Sequence, residues 1–219
     1  MTIKEGLNLK GAPARIPDAI REDLPQFFVD MGFKVGAEIG TAKGLFAKAI
    51  CEKGLKLYAI DPWIDYPDYD KGNGFRGELE NQYERAKKLL APYDCVILKK
   101  TSMEALTDIP DGSLDFVYID GNHGYKYVTE DIFEWSKKIR KGGIISGHDY
   151  IYTDRPFDNI HVKYVVDSYT KAFGIKNWYI LGNDRIGKHK DVKLGEKVVI
   201  MVNEQGERRN KYRSWLWQI

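Results

Sequence analysis

At 219 residues the chain has the length of one large domain, able to bury about 70% of its unfolded surface and to cover a sheet on both faces. Its 43% hydrophobic and 30% charged residues exclude a disordered chain. With 34 basic against 32 acidic side chains the formal charge is only +2, which excludes a global field for phosphate backbones and directs the reading to a small-molecule partner rather than nucleic acid.

The short basic runs Lys188–Lys193 and Arg208–Arg213 read as solvated loop faces. Cys51 and Cys95 have no CxxC spacing, and no signal-like stretch precedes them, so a reduced, cytoplasmic setting is expected. No apolar run approaches the roughly 20 residues of a membrane span.

In chain order, residues 1–33 read as a helical leader, with a helix over Asp18–Met31 that Pro25 perturbs or splits. Val35–Ile39 is the first strand. A glycine-bearing turn follows, and Leu45, Phe46, Ala49 and Ile50 then recur at helical spacing up to Gly54. Leu57–Ile60 is the second strand, Gly74–Leu90 contains a helix, and Cys95–Leu98 is the third strand. Thr101 and Glu104 have the spacing of a capping box. Beyond the turn at Asp111–Gly112, Leu114–Ile119 is the fourth strand.

Val128, Ile132, Trp135 and Ile139 mark a helix of about 14 residues closed by Gly142 and Gly143, after which Ile144 opens the fifth strand. A helix over Val162–Phe173 and a sixth strand at Trp178–Leu181 complete the core, residues 34–181. In the extension 182–219, Val198–Val202 and Trp215–Ile219 are expected to pair as a hairpin around Asn203–Ser214. The alternation of strand and helix describes one α/β domain with a doubly wound, mostly parallel seven-stranded sheet, helices on both faces and an antiparallel edge at its C-terminus.

The turn Glu38, Ile39, Gly40, Thr41, Ala42, Lys43, Gly44 lies where the first strand enters the first helix, the place where an open α/β sheet offers a ligand crevice. Asp61, twenty-one residues beyond Gly40, stands at the end of the second strand, where an acid can accept both hydroxyls of a ribose. The glycines at 36, 40 and 44 do not spell GxGxxG, which turns the reading from a pyrophosphate to a nucleoside.

Here the sequence resembles the class I S-adenosylmethionine-dependent methyltransferases, whose first motif places an acid two residues before a glycine-rich turn. This chain reads ExGxAxG, with Ala42 where that family often has glycine. The resemblance implies that Glu38, Gly40, Lys43 and Gly44 border the methionine part of the cofactor, Asp61 the ribose, and Ser102 with Met103 the adenine; Thr41 and Ala42 complete the cofactor-binding turn, and Trp63 either covers the cofactor or packs beside it.

The fourth and fifth strands end in Asp120, Gly121, Asn122, His123 and in Gly147, His148, Asp149, Tyr150, which would face the same crevice. The stretches IDGNHGY and GGIISGHDY resemble a small branch of that class that includes sugar and macrolide O-methyltransferases and is akin to the cephalosporin hydroxylase group; the likeness covers roughly residues 35–181. It implies an O-methyltransferase acting on a small hydroxylated acceptor, with Asp120 also touching the cofactor and Asp120, His148 and Asp149 at the positions where relatives hold magnesium.

His148 stands where those relatives have an acid, so a softer divalent ion or a metal-free site is expected. Asp120, His123, His148 and Asp149 form the candidate catalytic set, either histidine being a general base. His161 and His189 read as surface residues, and the aromatic loops Trp63–Phe75 and Tyr150–Phe157 as walls for an acceptor. An oxidoreductase or hydroxylase-like enzyme and a noncatalytic nucleoside binder remain the rival readings, and self-association into a homo-oligomer stays open.

Overall fold

The structure, a computed structural model, describes residues 1–65, 78–151, 160–182, 201–202, 208–209 and 213–219. His189, the run 188–193, most of both aromatic loops and strand residues 198–200 lie outside the described residues. The strands are β1 Gly11–Ile16, β2 Val35–Ile39, β3 Lys56–Ile60, β4 Cys95–Leu98, β5 Leu114–Ile119, β6 Ile139–Gly147, β7 Asn177–Leu181, β8 Met201–Val202, β9 Arg208–Arg209 and β10 Trp215–Gln218. The helices are α1 Ile3–Gly6, α2 Leu24–Asp30, α3 Leu45–Cys51, α4 Leu79–Leu90, α5 Ser102–Ala105, α6 Tyr125–Lys138 and α7 Val162–Ala172.

The main sheet is doubly wound and mostly parallel, in the order β1-β7-β10-β6-β5-β2-β3-β4. Its direction of growth reverses at β2, which pairs with β3 on one side and β5 on the other, and a crevice opens at the carboxyl ends of such neighbours. Side chains alternate across it. Phe116 and Tyr118 of β5 enter the core under α2, α3 and α4, while Val117 and Ile119 enter the core under α6 and α7. On the first face Phe28 stacks on Phe116 at 3.9 Å, and Gly36 leaves room that a Cβ would take from the Phe116 ring. Among the described residues no helix is long and apolar enough to cross a membrane.

The sheet has eight strands rather than seven because the leader supplies β1, which pairs in parallel with β7. Pro13 lacks an amide donor, which an edge strand tolerates, and Ala14 and Ile16 alternate inward. The leader helix is shorter than expected: a 3₁₀ turn over Arg21–Asp23 precedes α2, and Pro25 sits in the first turn of α2, where no intrahelical donor is required.

The hairpin expected between 198–202 and 215–219 is corrected. Met201–Val202 pairs with Arg208–Arg209, and β10 instead lies inside the sheet, antiparallel to both β6 and β7. The physical reason is its composition: Trp215 and Trp217 enter one core and Leu216 the other, and a strand apolar on both faces belongs in a covered interior. The fifth strand also begins earlier than expected, at Ile139, because Gly142 adopts φ 82° and lets the strand bulge between Ile139 and Ile144.

Asp115 ties these strands together at the end of the sheet away from the crevice. Its Oδ2 accepts from the Lys34 and Val35 amides at 2.6 and 2.9 Å, and its Oδ1 from Arg140 Nε at 2.6 Å. Burial opposes the charge, but these donors outweigh it and hold the carboxyl below its usual range. A group depressed on folding stabilises above its unfolded pKa, about 4, and loses that contribution as pH falls through the folded value. We therefore expect Asp115→Asn to cost about 1–3 kcal/mol at neutral pH and to flatten the acid limb of stability below about pH 4, read by urea unfolding across pH.

Candidate functional site

Every described residue that the sequence places in the site lies at the carboxyl end of β2, β3, β5 or β6, in the turn that follows, or, for Ser102 and Met103, at the start of α5 after β4. The turn after β2 is fixed by backbone first. The Gly40 and Thr41 amides donate to the Ile60 carbonyl at 2.8 and 3.3 Å, and the Asp120 amide donates to the Ile39 carbonyl at 2.8 Å. Gly40 has φ 91°, and a Cβ there would collide with the Asp120 carbonyl and stand 2.7 Å from Gly121 Cα. Only glycine fits that crossing. Gly44, at φ 76°, caps α3, where a Cβ would meet Ala86 at 3.3 Å.

Asp61 links the two walls of the crevice. Its Oδ2 accepts from the Ala42 amide at 2.9 Å and its Oδ1 from the Trp63 amide at 2.8 Å, while Trp63 Nε1 donates back to the Ala42 carbonyl at 2.9 Å. Burial raises the Asp61 carboxyl, and the two amides oppose that rise. Each oxygen has a second lone pair, so the pair of bonds leaves acceptor capacity for a diol. Ala42 and Trp63 hold φ of 47° and 45°, and with Asp149 at 55° they are the non-glycine residues with positive φ among the described residues. Backbone strain is thus concentrated at the site.

Glu38 is 2% exposed, and burial pushes its carboxyl up to about 8, with the Thr41 hydroxyl pulling the other way. Neither Glu38 Oε2 nor Thr41 Oγ1 meets hydrogen-bond geometry with a described partner, so the two remain near each other without a closed bond. Thr101 and Glu104 form the expected capping box at α5, with bonds of 2.9 and 3.3 Å. Ser102 follows, but its hydroxyl is already engaged: Trp135 Nε1 donates to it at 2.7 Å, and it donates to Asp131 Oδ1. Met103 is half-buried against the core under α6.

Beyond β5 and β6 the acids and imidazoles converge. His123 Nε2 stands 2.9 Å from Asp149 Oδ2 and 3.6 Å from Asp120 Oδ1, and His148 Nδ1 stands 3.3 Å from Asp149 Oδ1 and 3.9 Å from Asp120 Oδ1. Burial lowers the His123 imidazole, but the two carboxylates outweigh it and push it up to about 10; His148 is raised on the same grounds. Burial raises Asp149, and the two histidines hold it well below the usual carboxylate range.

The donor atoms of Asp120, His123 and Asp149 lie within 4.8 Å of one another and could hold a metal ion, with His148 beside the same two carboxylates. His123 Nε2 approaches both carboxylates without meeting hydrogen-bond geometry with either. Two carboxylates and an imidazole fit a divalent transition ion.

Sequence reasoning missed three participants. Arg21, from the leader, places NH1 3.7 Å from Asp120 Oδ2 with its guanidinium over the Phe46 ring at 5.2 Å. Asp131 is 3% exposed behind Ser102. His161, expected at the surface, is half-buried: its amide donates to the His123 carbonyl at 2.8 Å and its Nδ1 accepts from the Tyr125 amide at 3.1 Å, which fixes the start of α6. The spacing of Asp131, four residues before Trp135 on the inward stripe, was the one available signal among these.

Comparison with known proteins follows the same lines. An O-methyltransferase from Bacillus cereus, solved in complex with S-adenosylhomocysteine, superposes with a TM-score of 0.57 at 13% identity over 90% of this chain and 78% of that one. An O-methyltransferase of Streptomyces achromogenes involved in tomaymycin synthesis, solved with S-adenosylmethionine, gives 0.57 at 12% identity over the same shares. An uncharacterized protein of Sinorhizobium fredii (strain NBRC 101917 / NGR234) is 30% identical over 126 residues, 53% of this chain and 12% of that protein, so the chain spans about an eighth of the curated relative it matches. Residues 37–150, just over half of the chain and the stretch that carries the turn, Asp61 and the acid–imidazole cluster, match the methyltransferase-domain family, and the chain belongs to that family.

Proposed function

We propose that the chain binds S-adenosylmethionine and transfers its methyl group to an oxygen of a small hydroxylated acceptor. The observation that carries this reading is Asp61, bonded at once to the Gly40–Ala42 turn and to Trp63, beside the crevice where the β2 and β5 ends part. That arrangement supplies the two walls a nucleoside needs. The acid–imidazole cluster stands at the same edge, on the side where an acceptor would approach.

Methyl transfer from a sulfonium is an in-line displacement, so the protein's work is to align acceptor oxygen, methyl carbon and sulfur and to take up the acceptor's proton. Asp61 would hold the ribose, and Gly40 would let the backbone approach the methionine part closely. Burial pushes the Glu38 carboxyl up to about 8, and a cationic amine placed against it would favour the carboxylate. Asp120, His123 and Asp149 would hold a divalent ion, which when bound lowers the pKa of an acceptor hydroxyl. Arg21 keeps positive charge beside Asp120, and His161 holds the His123 segment in place.

Thermal unfolding tests the cofactor. S-adenosylhomocysteine at 100 times its dissociation constant should stabilise the chain by about 2.7 kcal/mol, with no effect from NAD; the opposite response would favour an oxidoreductase. Asp61→Ala should remain folded and lose that shift.

Titration calorimetry in buffers of different ionisation enthalpy tests Glu38. S-adenosylhomocysteine binding at pH 7 should release up to about one proton, and Glu38→Gln should abolish the release.

Turnover is read as S-adenosylhomocysteine formation across a panel of sugars and phenols. With an acceptor found, Asp149→Ala should lower kcat by about 100-fold or more, and a chelator should suppress turnover until manganese is returned. Full activity of Asp149→Ala would remove the cluster from the reaction.

A further inference from the structure

Two thiols that the reaction above does not use meet at the far end of the sheet. Cys51 is the last residue of α3, and Cys95 opens β4 beside Leu57 of β3. Because β2 and β3 are parallel, α3 carries the chain back between them and ends at the amino ends of the strands, opposite the crevice. The two elements are fastened there. The hydroxyl of Tyr93, two residues before Cys95, donates to Oε1 of Glu52, the neighbour of Cys51, at 3.2 Å, and Tyr93, Cys51 and Cys95 pack in one core. This brings the two sulfurs within hydrogen-bonding reach, with Cys51 as the donor.

The two cysteines are not equivalent. Cys51 is 4% exposed, whereas Cys95 is half-buried on the last strand of the described sheet. The Cys51 hydrogen directed at the Cys95 sulfur raises the first thiol and keeps the second below its usual range, although burial and Asp94 oppose that drop. The thiolate is the form that attacks an oxidant, so the more accessible sulfur is also the one that charges first. A buried thiol stands beside it. These are the two cysteines of the whole chain, so a single intrachain disulfide can form.

The geometry points to Cys51 and Cys95 as a dithiol that hydrogen peroxide oxidises to a disulfide, Cys95 being the attacking sulfur and Cys51 the resolving one. The Cys95 thiolate takes one peroxide oxygen: an S–O bond forms, the O–O bond breaks, and the leaving hydroxide takes a proton from solvent to become water. The Cys51 sulfur then attacks the sulfenic sulfur. The S–S bond forms, the S–O bond breaks, and the departing hydroxide leaves with the Cys51 proton as a second water. The two sulfurs lose two electrons, and the peroxide gains them. The bond clamps α3 to β4 away from the crevice, so it acts on the stability of this side of the sheet, independently of the cofactor reading.

The test treats the intact reduced chain, freed of added thiol, with hydrogen peroxide, blocks the remaining thiols with iodoacetamide, and reads intact and peptide masses. The chain should lose two hydrogens, take up no label, and yield a peptide pair joined through Cys51 and Cys95. It should also melt about 5–10 °C higher, and dithiothreitol should restore the original melting temperature. In Cys51→Ser, dimedone should trap a sulfenic acid at Cys95, whereas Cys95→Ser should leave Cys51 unlabelled. Three results in the wild type overturn the inference whether or not either variant folds: two alkylated cysteines after peroxide, a Cys95 sulfinic acid beside an alkylated Cys51, or a disulfide between two chains. Dimedone on Cys51 of folded Cys95→Ser overturns the assigned order of attack.

Discussion

The site depends on one carboxylate. Asp61 spends one oxygen on the Ala42 amide and the other on the Trp63 amide, so the turn after β2 and the turn after β3 cannot move apart without leaving a half-buried carboxylate short of donors. Two amides also fix the plane of the carboxyl group. The return bond from Trp63 Nε1 to the Ala42 carbonyl closes the ring of contacts. A crevice in an open sheet is a consequence of topology; its rigidity here comes from this cross-link.

That rigidity sustains conformations a free chain would avoid. Ala42, Trp63 and Asp149 each hold a left-handed backbone, a cost of order 1–3 kcal/mol apiece that surrounding contacts must offset. Their contacts are identifiable. Ala42 and Trp63 are held by Asp61, and Asp149 is flanked by the His148 amide bond to the Ile119 carbonyl and the Tyr150 amide bond to the Arg213 carbonyl. Segments far apart in sequence are thereby locked with their polar groups facing one space.

Much of this was legible in the chain. Val35–Ile39, Cys95–Leu98 and Leu114–Ile119 appear as strands with the expected bounds, because short apolar runs bounded by turn residues carry their signal locally. The capping box at Thr101 is equally local. What escaped was decided by partners distant in sequence. Gly11–Ile16 contains proline and exposes Ala12 and Arg15, and it becomes a strand only because β7 offers an edge. Trp215–Trp217 is apolar on both faces, yet nothing nearby in sequence shows that β6 and β7 leave a gap for it. Arg21 and His161 are ordinary polar residues until the leader and α7 carry them to Asp120 and His123.

The interior place of β10 has a consequence for how the molecule holds together. Among the described strands, β1 and β7 are hydrogen-bonded to the remainder of the sheet only through Trp215–Gln218, so four residues serve as the hinge pin between two slabs. The loop they close is long, and its closure entropy must be met before the slabs can dock. The same segment anchors the polar edge, since Trp215 Nε1 donates to the His148 carbonyl at 3.2 Å and Arg213 receives the Tyr150 amide. Loosening this pin would slacken the His148–Tyr150 arm, coupling the late assembly of the sheet to the shape of the acid–imidazole cluster.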